Sequence, residues 1–219
     1  MAMRQVLAEL VAGFEAVSDV SVGIESVGGV DAAKRVQAGE AFDVVILASD
    51  AIDKLIAGGH LRAGSRVDLV RSGVAAAVRE GASVPDLGSE DSVRSAVLAA
   101  RTIGYSTGPS GVALAQLFER WGIAQQIQSR IVQAPPGVPV ASLVARGEVE
   151  LGFQQLSELL GVADITVAGS LPPAIQIVTT FSAGICVHTD KTDAVRAMLS
   201  HMTAPAAAEA KRRQGMEPA

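Results

Sequence analysis

The chain has 219 residues, of which 49% are hydrophobic and only 3% aromatic, and its formal net charge is −5 at pH 7. This length is enough for one large α/β domain or two small lobes, with aliphatic side chains supplying the core. Acidic and basic residues are interspersed rather than clustered, which argues against a nucleic-acid partner. No stretch approaches 18 consecutive apolar residues, so the sequence predicts no membrane span.

Helical and strand patterns alternate in the first third of the chain. The predicted elements are a helix over 3–16, a strand over 20–24, a helix over 31–38, a strand over 42–47 and a helix over 50–57. The run from Phe42 to Leu47 is almost entirely apolar, which is typical of a strand covered by helices on both faces. This order predicts parallel pairing with right-handed crossovers.

The remaining two thirds continue the same alternation after an apolar strand over 72–78. Residues 80–87 carry Gly and Pro without a helical period, which predicts a crossing between domains. The later predicted strands cover 102–105, 127–132, 150–155 and 165–168, and a long apolar stretch covers 175–187. The later predicted helices cover 92–100, 112–121, 140–146, 192–202 and 204–213.

Three turns between a predicted strand and a predicted helix share one chemical character: Ser26 to Gly29, Ser49-Asp50, and Ser106 to Gly111. Each offers hydroxyl groups or glycines, together with the free N–H groups of a helix start, and no fixed positive charge. This combination suits an oxyanion or a carboxylate held by dipoles. The same turns also fit ordinary helix capping. The candidate ligand contacts are Ser26, Val27, Gly28, Gly29, Ser49, Tyr105, Ser106, Ser110, Gly111, Gln154 and Gln155.

Two of these candidate contacts have an equally good alternative. Gln154 and Gln155 end a predicted strand, where an amide can enter a crevice and both donate and accept hydrogen bonds, or can be solvated at a sheet edge. Tyr105 ends the strand before the third turn, where its ring can contact a ligand or pack against the core. The sequence leaves both alternatives open.

Motifs for cofactors, metals and hydrolytic catalysis are missing from the sequence. There is no GxxxxGK[ST] or GxGxxG for a nucleotide and no GxSxG elbow, and no catalytic residue is nominated. His60, His188 and His201 lie far apart without carboxylates at ligand spacing, so no metal site or cofactor is predicted. Cys186 is the sole cysteine and lies in an apolar run, which predicts a buried structural thiol and no intramolecular disulfide.

With these residues in view, the chain resembles the type II periplasmic binding proteins, most closely the molybdate-binding-like branch of the ABC-transporter substrate-binding proteins. The resemblance rests on residues 38–46 with the following helix, 104–106, 111–122, 144–152, and the C-terminal helices from Asp193. These segments together represent nearly the whole chain.

The resemblance implies an α/β fold of two lobes, with mixed, mainly parallel sheets flanked by helices. Lobe I would be discontinuous, with residues 1–79 plus 180–219, and lobe II would contain residues 80–179. A small anionic ligand would be enclosed between the lobes by a hinge motion. The resemblance assigns ligand contacts to Ser26–Gly29 in lobe I, and to Ser106–Gly111 and Gln154-Gln155 in lobe II.

This sequence departs from the family pattern in two ways. Family members begin with an export signal and a central strand, whereas this chain starts within the following helix, without a signal peptide. Either that first central strand was lost from the sequence or lobe I is built differently. The resemblance implies a periplasmic location, and the absence of a signal leaves a cytoplasmic one open.

The second departure concerns the anion. The paired serines of the family appear here as Val27-Gly28-Gly29, and glutamine stands where the family has a strand-end tyrosine. Molybdate and a small organic carboxylate are therefore both candidate ligands.

Three classes of function occur on such a fold. The first is a binding protein that captures a small anion for an ABC-transporter permease, and the second is an enzyme on the same fold acting on a small carboxylate. The third, an effector-binding regulator, has no helix-turn-helix segment or basic face to support it. Asp50 and Glu25 are the acidic residues nearest the turns, and a cap or an exposed strand end explains each better than acid–base catalysis. A sheet lacking its central strand would also favour a homodimer.

Overall fold

The computed structural model describes residues 2–219 and divides the chain into two compact units. Unit 1 contains Met1–Ser72 together with Thr179–Ala219, and unit 2 contains Gly73–Val178. The chain therefore passes from one unit to the other at two places, Ser72–Gly73 and Val178–Thr179. No helix among the described residues is long and apolar enough to cross a membrane.

Unit 1 is an α/β structure in which helices precede and follow the strands. Its helices are α1 (Arg4–Glu15), α2 (Gly29–Gln37), α3 (Ser49–Ala57), α9 (Thr192–Thr203) and α10 (Ala208–Arg213), with a 3-10 turn over Pro205–Ala207. Its strands are β1 (Val44–Ala48), the first half of β2 (Val67–Arg79), most of β7 (Val178–Ile185), and β8 (Met216–Pro218).

Two apolar clusters stabilise unit 1. The larger joins α1 to α9 and α10 against β2 and β7, and fully buried Val6, Leu69 and Met202 lie in it. The smaller packs α2 and α3 against β1 through Val36, Leu47 and Ile52. In the sheet, β7 lies between β1 and β2, pairing antiparallel with β1, while β8 pairs antiparallel with β2.

Unit 2 has its own sheet and core. Its helices are α4 (Glu90–Ala99), α5 (Pro109–Arg120), α6 (Ala124–Ile127), α7 (Val140–Ala145) and α8 (Leu156–Leu159), with 3-10 turns over Gln128–Arg130 and Pro173–Ile175. Its strands are the second half of β2, β3 (Ile103–Ser106), β4 (Ile131–Ala134), β5 (Leu151–Gln155) and β6 (Ile165–Ser170).

The sheet of unit 2 is mixed. Strands β4, β3 and β5 run parallel, and β2 pairs antiparallel with both β5 and β6. Gly104 pairs with Gly152 across β3 and β5, and a Cβ atom at Gly152 would lie 2.5 Å from Val144 Cγ2. These two glycines therefore let α7 pack directly on the strands, because any side chain there would push the helix away. The predicted α/β class, with mixed sheets flanked by helices, is confirmed. The described pairings are mostly antiparallel instead of mainly parallel as expected, because the parallel ones are those of β3 with β4 and with β5.

Two predicted strands are wrong in whole or in part. Residues 20–24 form no strand in the described structure, although Val20 and Val22 pack partly buried against the unit 1 core. The N–H of Val22 instead donates to Glu15 Oε1 at 2.7 Å. The expected parallel partner of β1 is therefore absent, and β1 pairs antiparallel with β7. The alternating apolar residues Val20 and Val22 therefore indicated burial against the core and not pairing with another strand.

The strand predicted over 127–132 begins only at Ile131. Ile127 ends helix α6, and Gln128–Arg130 form a 3-10 turn. The guanidinium of Arg130 donates to the carbonyl oxygens of Leu98 (2.9 Å) and Ala100 (2.6 Å), which ties this turn to the end of α4. Strand β8 was not predicted, because three residues are too few to show a periodicity.

Candidate functional site

In unit 2, three helix starts gather at one edge of the sheet. Strands β4, β3 and β5 are parallel neighbours, so their carboxyl ends lie on the same side. Helix α5 follows β3, α7 follows β4, and α8 follows β5. Ligands of open α/β sheets bind at such edges, where helix N-terminal N–H groups lack partners within the helix. This edge contains every site residue predicted for the second half of the chain.

The start of α5 presents main-chain N–H groups beside the end of β3. Gly108 occupies the N-cap position without a side-chain cap, and Pro109 begins the helix. Ser106 Oγ accepts a hydrogen bond from the Gly108 N–H at 3.3 Å. The N–H groups of Ser110 and Gly111 belong to the first turn and therefore have no partner within the helix. Ser106 and Ser110 are half-buried, so both side chains are partly open to solvent.

Gly111 allows this arrangement by its lack of a side chain. A Cβ atom at Gly111 would lie 1.7 Å from the main-chain oxygen of Ser106 and 3.2 Å from the Tyr105 ring. Only glycine fits where the first turn of α5 approaches the strand so closely. Gly111 therefore has a structural role here, which brings the helix start to the strand end.

Tyr105 is half-buried at the end of β3 and packs on the core of unit 2. Its ring meets that of Phe118 edge to face, with 6.1 Å between centroids. Burial raises the pKa of the Tyr105 hydroxyl. Packing against the core is thus observed for the ring, and ligand contact by its hydroxyl stays a prediction.

Gln154 and Gln155 are buried rather than solvated, with 3% and 4% of their surface exposed. Strand β5 lies between β2 and β3, so neither amide is at a sheet edge, and that alternative is wrong. Gln154 Oε1 accepts a hydrogen bond from the N–H of Ala141, at the start of α7, at 3.0 Å. The amide thereby satisfies one of the N–H groups that a helix start leaves without an internal partner.

Two polar residues of the same edge were not predicted from the sequence. Ser157 is 7% exposed, and its Oγ has no hydrogen-bond partner among residues 2–219. Burial raises the pKa of the Glu158 carboxyl. Both residues lie in the short helix α8, where no sequence motif marks them.

In unit 1, the starts of α2 and α3 both lie at the carboxyl end of β1. A Cβ atom at Gly29 would contact Leu47 Cδ2 at 3.7 Å, and α3 begins directly after β1 at Ser49. The N-cap residues are Gly28 and Ala48, and neither helix has a side-chain cap. The prediction that Ser49-Asp50 forms the N-cap is therefore off by one position, and Ser49 is half-buried in the first turn.

The first predicted turn of unit 1 is open to solvent. Ser26, Val27 and Gly29 are exposed, and Gly28 is half-buried. This turn follows an irregular segment instead of the predicted strand. Ser26 and Val27 therefore lead into α2 from a segment that makes no strand pairing.

The acidic residues nearest these turns are paired with cations. Glu25 lies 2.7 Å from Arg35, which also pairs with Glu40 and has its pKa raised by the two carboxylates. Asp50 lies 3.8 Å from Lys54 one helical turn away. Both carboxylates have an ion-pair partner, so a structural explanation fits both.

Cys186 is buried with 4% of its surface exposed, and burial followed by the charge of Asp43 raises the pKa of its thiol to about 11. Such a thiol is a poor nucleophile, because the thiolate is the reactive form. Across residues 2–219, no group of three or more His, Cys, Asp or Glu side chains could hold a metal ion.

The fold is that of the type II periplasmic binding proteins. The periplasmic molybdate-binding protein of Azotobacter vinelandii is similar with a TM-score of 0.80 and 23% identity over 98% of this chain and 95% of that one. PEB3, from Campylobacter jejuni, solved with L-phospholactate bound, gives a TM-score of 0.75 and 16% identity over 100% of this chain and 96% of that one. At these identities the likeness concerns the fold alone.

The chain belongs to the family of bacterial extracellular solute-binding proteins, whose sequence profile matches residues 1–217. Among characterised relatives, it is 37% identical to aconitate isomerase from a Pseudomonas species over 185 residues, which are 84% of this chain and 70% of that protein. The predicted family is thus confirmed. The relatives differ in their ligands, so the family by itself names no single anion.

Proposed function

We propose that this protein binds a small organic carboxylate through its strand-end turns. The observation that carries the proposal is the gathering of helix starts at the carboxyl edge of β4, β3 and β5, with Ser106, Ser110 and the buried Gln154 beside them. N–H groups and hydroxyls without a fixed cation suit an anion that is held by dipoles. In unit 1, the starts of α2 and α3 offer Gly28, Gly29 and Ser49 in the same way.

A carboxylate is favoured over an oxyanion by the similarity to aconitate isomerase, whose name records a tricarboxylate. The same fold occurs in proteins solved as a molybdate binder and as a complex with L-phospholactate. Both classes of ligand are therefore compatible with the scaffold. Val27-Gly28-Gly29 and a strand-end glutamine of Gln154-Gln155 stand where the molybdate-binding pattern has serines and a tyrosine, and this difference supports the carboxylate.

Calorimetry and thermal unfolding with trans-aconitate, citrate, malate, molybdate and sulfate test the proposal. A ligand present at 100 times its Kd stabilises the native state by about 2.7 kcal/mol. We expect stabilisation by at least one of the carboxylates and none by molybdate at the same concentration. Stabilisation by molybdate alone would favour the oxyanion, and no binding of any of the five would contradict the proposal.

A negative charge introduced at the start of α5 tests whether the proposed carboxylate site lies there. Ser110→Asp adds a negative charge that the helix dipole tolerates but a bound anion does not. We expect at least a tenfold loss of carboxylate affinity with unchanged thermal stability. The matched control is Gln116→Glu, which adds the same charge to an exposed position of the same helix. Equal carboxylate affinities in the two variants would show that the ligand does not bind at the start of α5.

Transfer of the ligand to an ABC-transporter permease is the role that membership of a solute-binding family supports. A second candidate function is isomerisation of the bound carboxylate, which the 37% identity to aconitate isomerase favours specifically. Incubation with trans-aconitate, followed by proton NMR, separates the two, because only an enzyme changes the ligand. A homodimer formed through the outer edge of β1 is part of the same proposal, and size-exclusion chromatography showing a stable monomer would contradict it.

A further inference from the structure

A groove in unit 1 lies among helices α1, α9 and α10, and we refer to it as the α1–α10 groove. Its volume is about 370 Å³. Its apolar walls are Leu10, Gly13 and four alanines between residues 204 and 210, and its polar groups are Glu9 and His201. Small-molecule sites in proteins occupy roughly 300–1,000 Å³ and combine mostly apolar walls with a few polar groups. The α1–α10 groove has this size and this composition.

Gly13 lies inside helix α1 at a position where packing does not require a glycine. Outside its own helix, a Cβ atom at Gly13 would meet only His201 Nε2, at 3.4 Å, which is an ordinary contact distance. A glycine inside a helix destabilises the helix relative to alanine. The stability lost at Gly13 therefore has no packing reason, and its effect is to keep the space beside His201 Nε2 open.

The imidazole of His201 is positioned by a ring contact, and its nitrogens are free. Its ring packs against that of Phe14 with 5.7 Å between the centroids and 57° between the planes. The residue is half-buried, and within residues 2–219 no hydrogen bond occupies either ring nitrogen. A neutral imidazole offers one hydrogen-bond donor and one acceptor. His201 can therefore hold a hydroxyl group of a molecule bound in the groove.

The charged groups at the groove already pair with one another. Glu9 forms an ion pair with Arg213, and Arg213 also pairs with Glu209 at 2.8 Å. An anionic ligand would be repelled by the Glu9 carboxylate, and a cationic one would have to compete with Arg213 for it. The α1–α10 groove therefore favours an uncharged molecule.

We propose that the α1–α10 groove binds a small uncharged aromatic alcohol. Its ring would pack on Leu10 and the alanines and extend the contact between Phe14 and His201, because aromatic rings attract one another in tilted arrangements. Its hydroxyl would hydrogen-bond to His201 Nε2. An apolar cavity of about 150 Å³ is enough to hold benzene, so the groove has room for one ring with its hydroxyl. No residue of the strand-end turns lines the groove, so this site is independent of the proposed carboxylate site.

NMR titration of the ¹⁵N-labelled full chain tests the inference, with phenol as the probe. Binding is read from the backbone amide signals of Gly13, His201 and Ala207, so a ligand bound elsewhere in the chain does not affect the result. Toluene is the comparison probe without the hydroxyl. Benzoate and benzylamine are the comparison probes with a negative and a positive charge.

Three variants accompany the wild type. Gly13→Leu fills the groove with a side chain, and Ala12→Leu is the matched control, because Ala12 is exposed on the same helix and does not line the groove. His201→Phe keeps a ring beside Phe14 but removes the ring nitrogens. Far-UV circular dichroism checks that each variant is folded.

We expect wild type and Ala12→Leu to bind phenol equally, with a Kd of about 1 mM or tighter. Gly13→Leu should bind phenol at least tenfold more weakly. In the wild type, toluene should bind about three- to tenfold more weakly than phenol, the usual effect of one neutral hydrogen bond. In His201→Phe, the two probes should bind equally.

Four results would overturn the inference. The first is a wild-type Kd for phenol weaker than about 1 mM, and the second is binding of benzoate or benzylamine as tight as that of phenol. The third is a change of the three amide signals with protein concentration in the absence of any probe, because a second copy of the chain would then cover the groove. The fourth is unchanged phenol binding in Gly13→Leu. If that variant does not fold, His201→Phe decides: equal binding of phenol and toluene supports the inference, and a retained preference for phenol overturns it.

Discussion

A Cβ atom at Gly111 would lie 1.7 Å from the main-chain oxygen of Ser106, so the first turn of α5 rests directly on the end of strand β3. The neighbouring atom is main chain rather than the end of a flexible side chain, and it cannot move without displacing the strand. This contact sets the position of the N–H groups of Ser110 and Gly111, which the proposed anion site uses.

Gly111→Ala is expected to destabilise the protein by about 1–3 kcal/mol, the usual cost of overpacking a close contact. Urea unfolding followed by circular dichroism measures the change. Gly23→Ala is the control, because a Cβ at Gly23 meets nothing within 4 Å. We expect that variant to change the free energy of unfolding by less than about 0.5 kcal/mol. Equal midpoints for the two variants would mean that α5 is not held by this contact.

Replacement of Gln154 by methionine removes the acceptor for the Ala141 N–H while keeping the volume of the side chain. A buried donor left without a partner costs about 1–3 kcal/mol, and we expect a loss in that range by urea unfolding. The exposed Gln126→Met is the control and should change stability by less than about 0.5 kcal/mol. A Gln154→Met variant as stable as wild type would contradict the capping role.

The thiol of Cys186 should resist alkylation in the native protein. Burial and Asp43 raise its pKa to about 11, so at pH 8 roughly one molecule in a thousand carries the thiolate. Labelling with iodoacetamide at pH 8, measured by mass spectrometry, should be far slower than that of glutathione. The same protein in guanidinium chloride is the control and should label at the rate of a free thiol. Rapid labelling without denaturant would show that the site opens.

The ionised Asp68 carboxyl stabilises the folded protein, and this contribution is lost at acid pH. Hydrogen bonds from Arg66 at 2.8 Å and from Ser182 at 2.6 Å lower the pKa of the Asp68 carboxyl. Because the folded-state pKa lies below the ordinary value of 3.8, the contribution is present above pH 3.8 and is lost as the pH falls through the folded-state pKa. The pair is partly exposed, so solvent screening limits the contribution to roughly 0.5–1 kcal/mol.

We therefore expect Asp68→Asn to be less stable than wild type by that amount at pH 7, with the difference shrinking toward pH 2. Urea unfolding at both pH values measures it. The exposed Asp19→Asn is the control and should change the free energy of unfolding at pH 7 by less than about 0.5 kcal/mol. A difference for Asp68→Asn that grows as the pH falls would have the wrong sign and would exclude this explanation.

Local patterns predicted most elements of the fold. The amphipathic period predicted helices α1 and α9, and the apolar run from Phe42 to Leu47 predicted strand β1. The turn from Ser106 to Gly111 was placed correctly at the start of α5. Failures occurred where a long-range partner decides the structure. Residues 20–24 have the alternation of a strand but form no ladder, and residues 128–130 are held in a 3-10 turn by Arg130.

The sequence by itself determined the element types, the chemistry of the turns and the family, because hydrophobic period, glycine and hydroxyl content are local properties. Only the tertiary structure decided that β1 pairs antiparallel with β7, that Gln154 is buried against α7, and that Glu158 is a carboxyl with a raised pKa. Strand direction and desolvation arise from residues far apart in the chain, and no single segment encodes them.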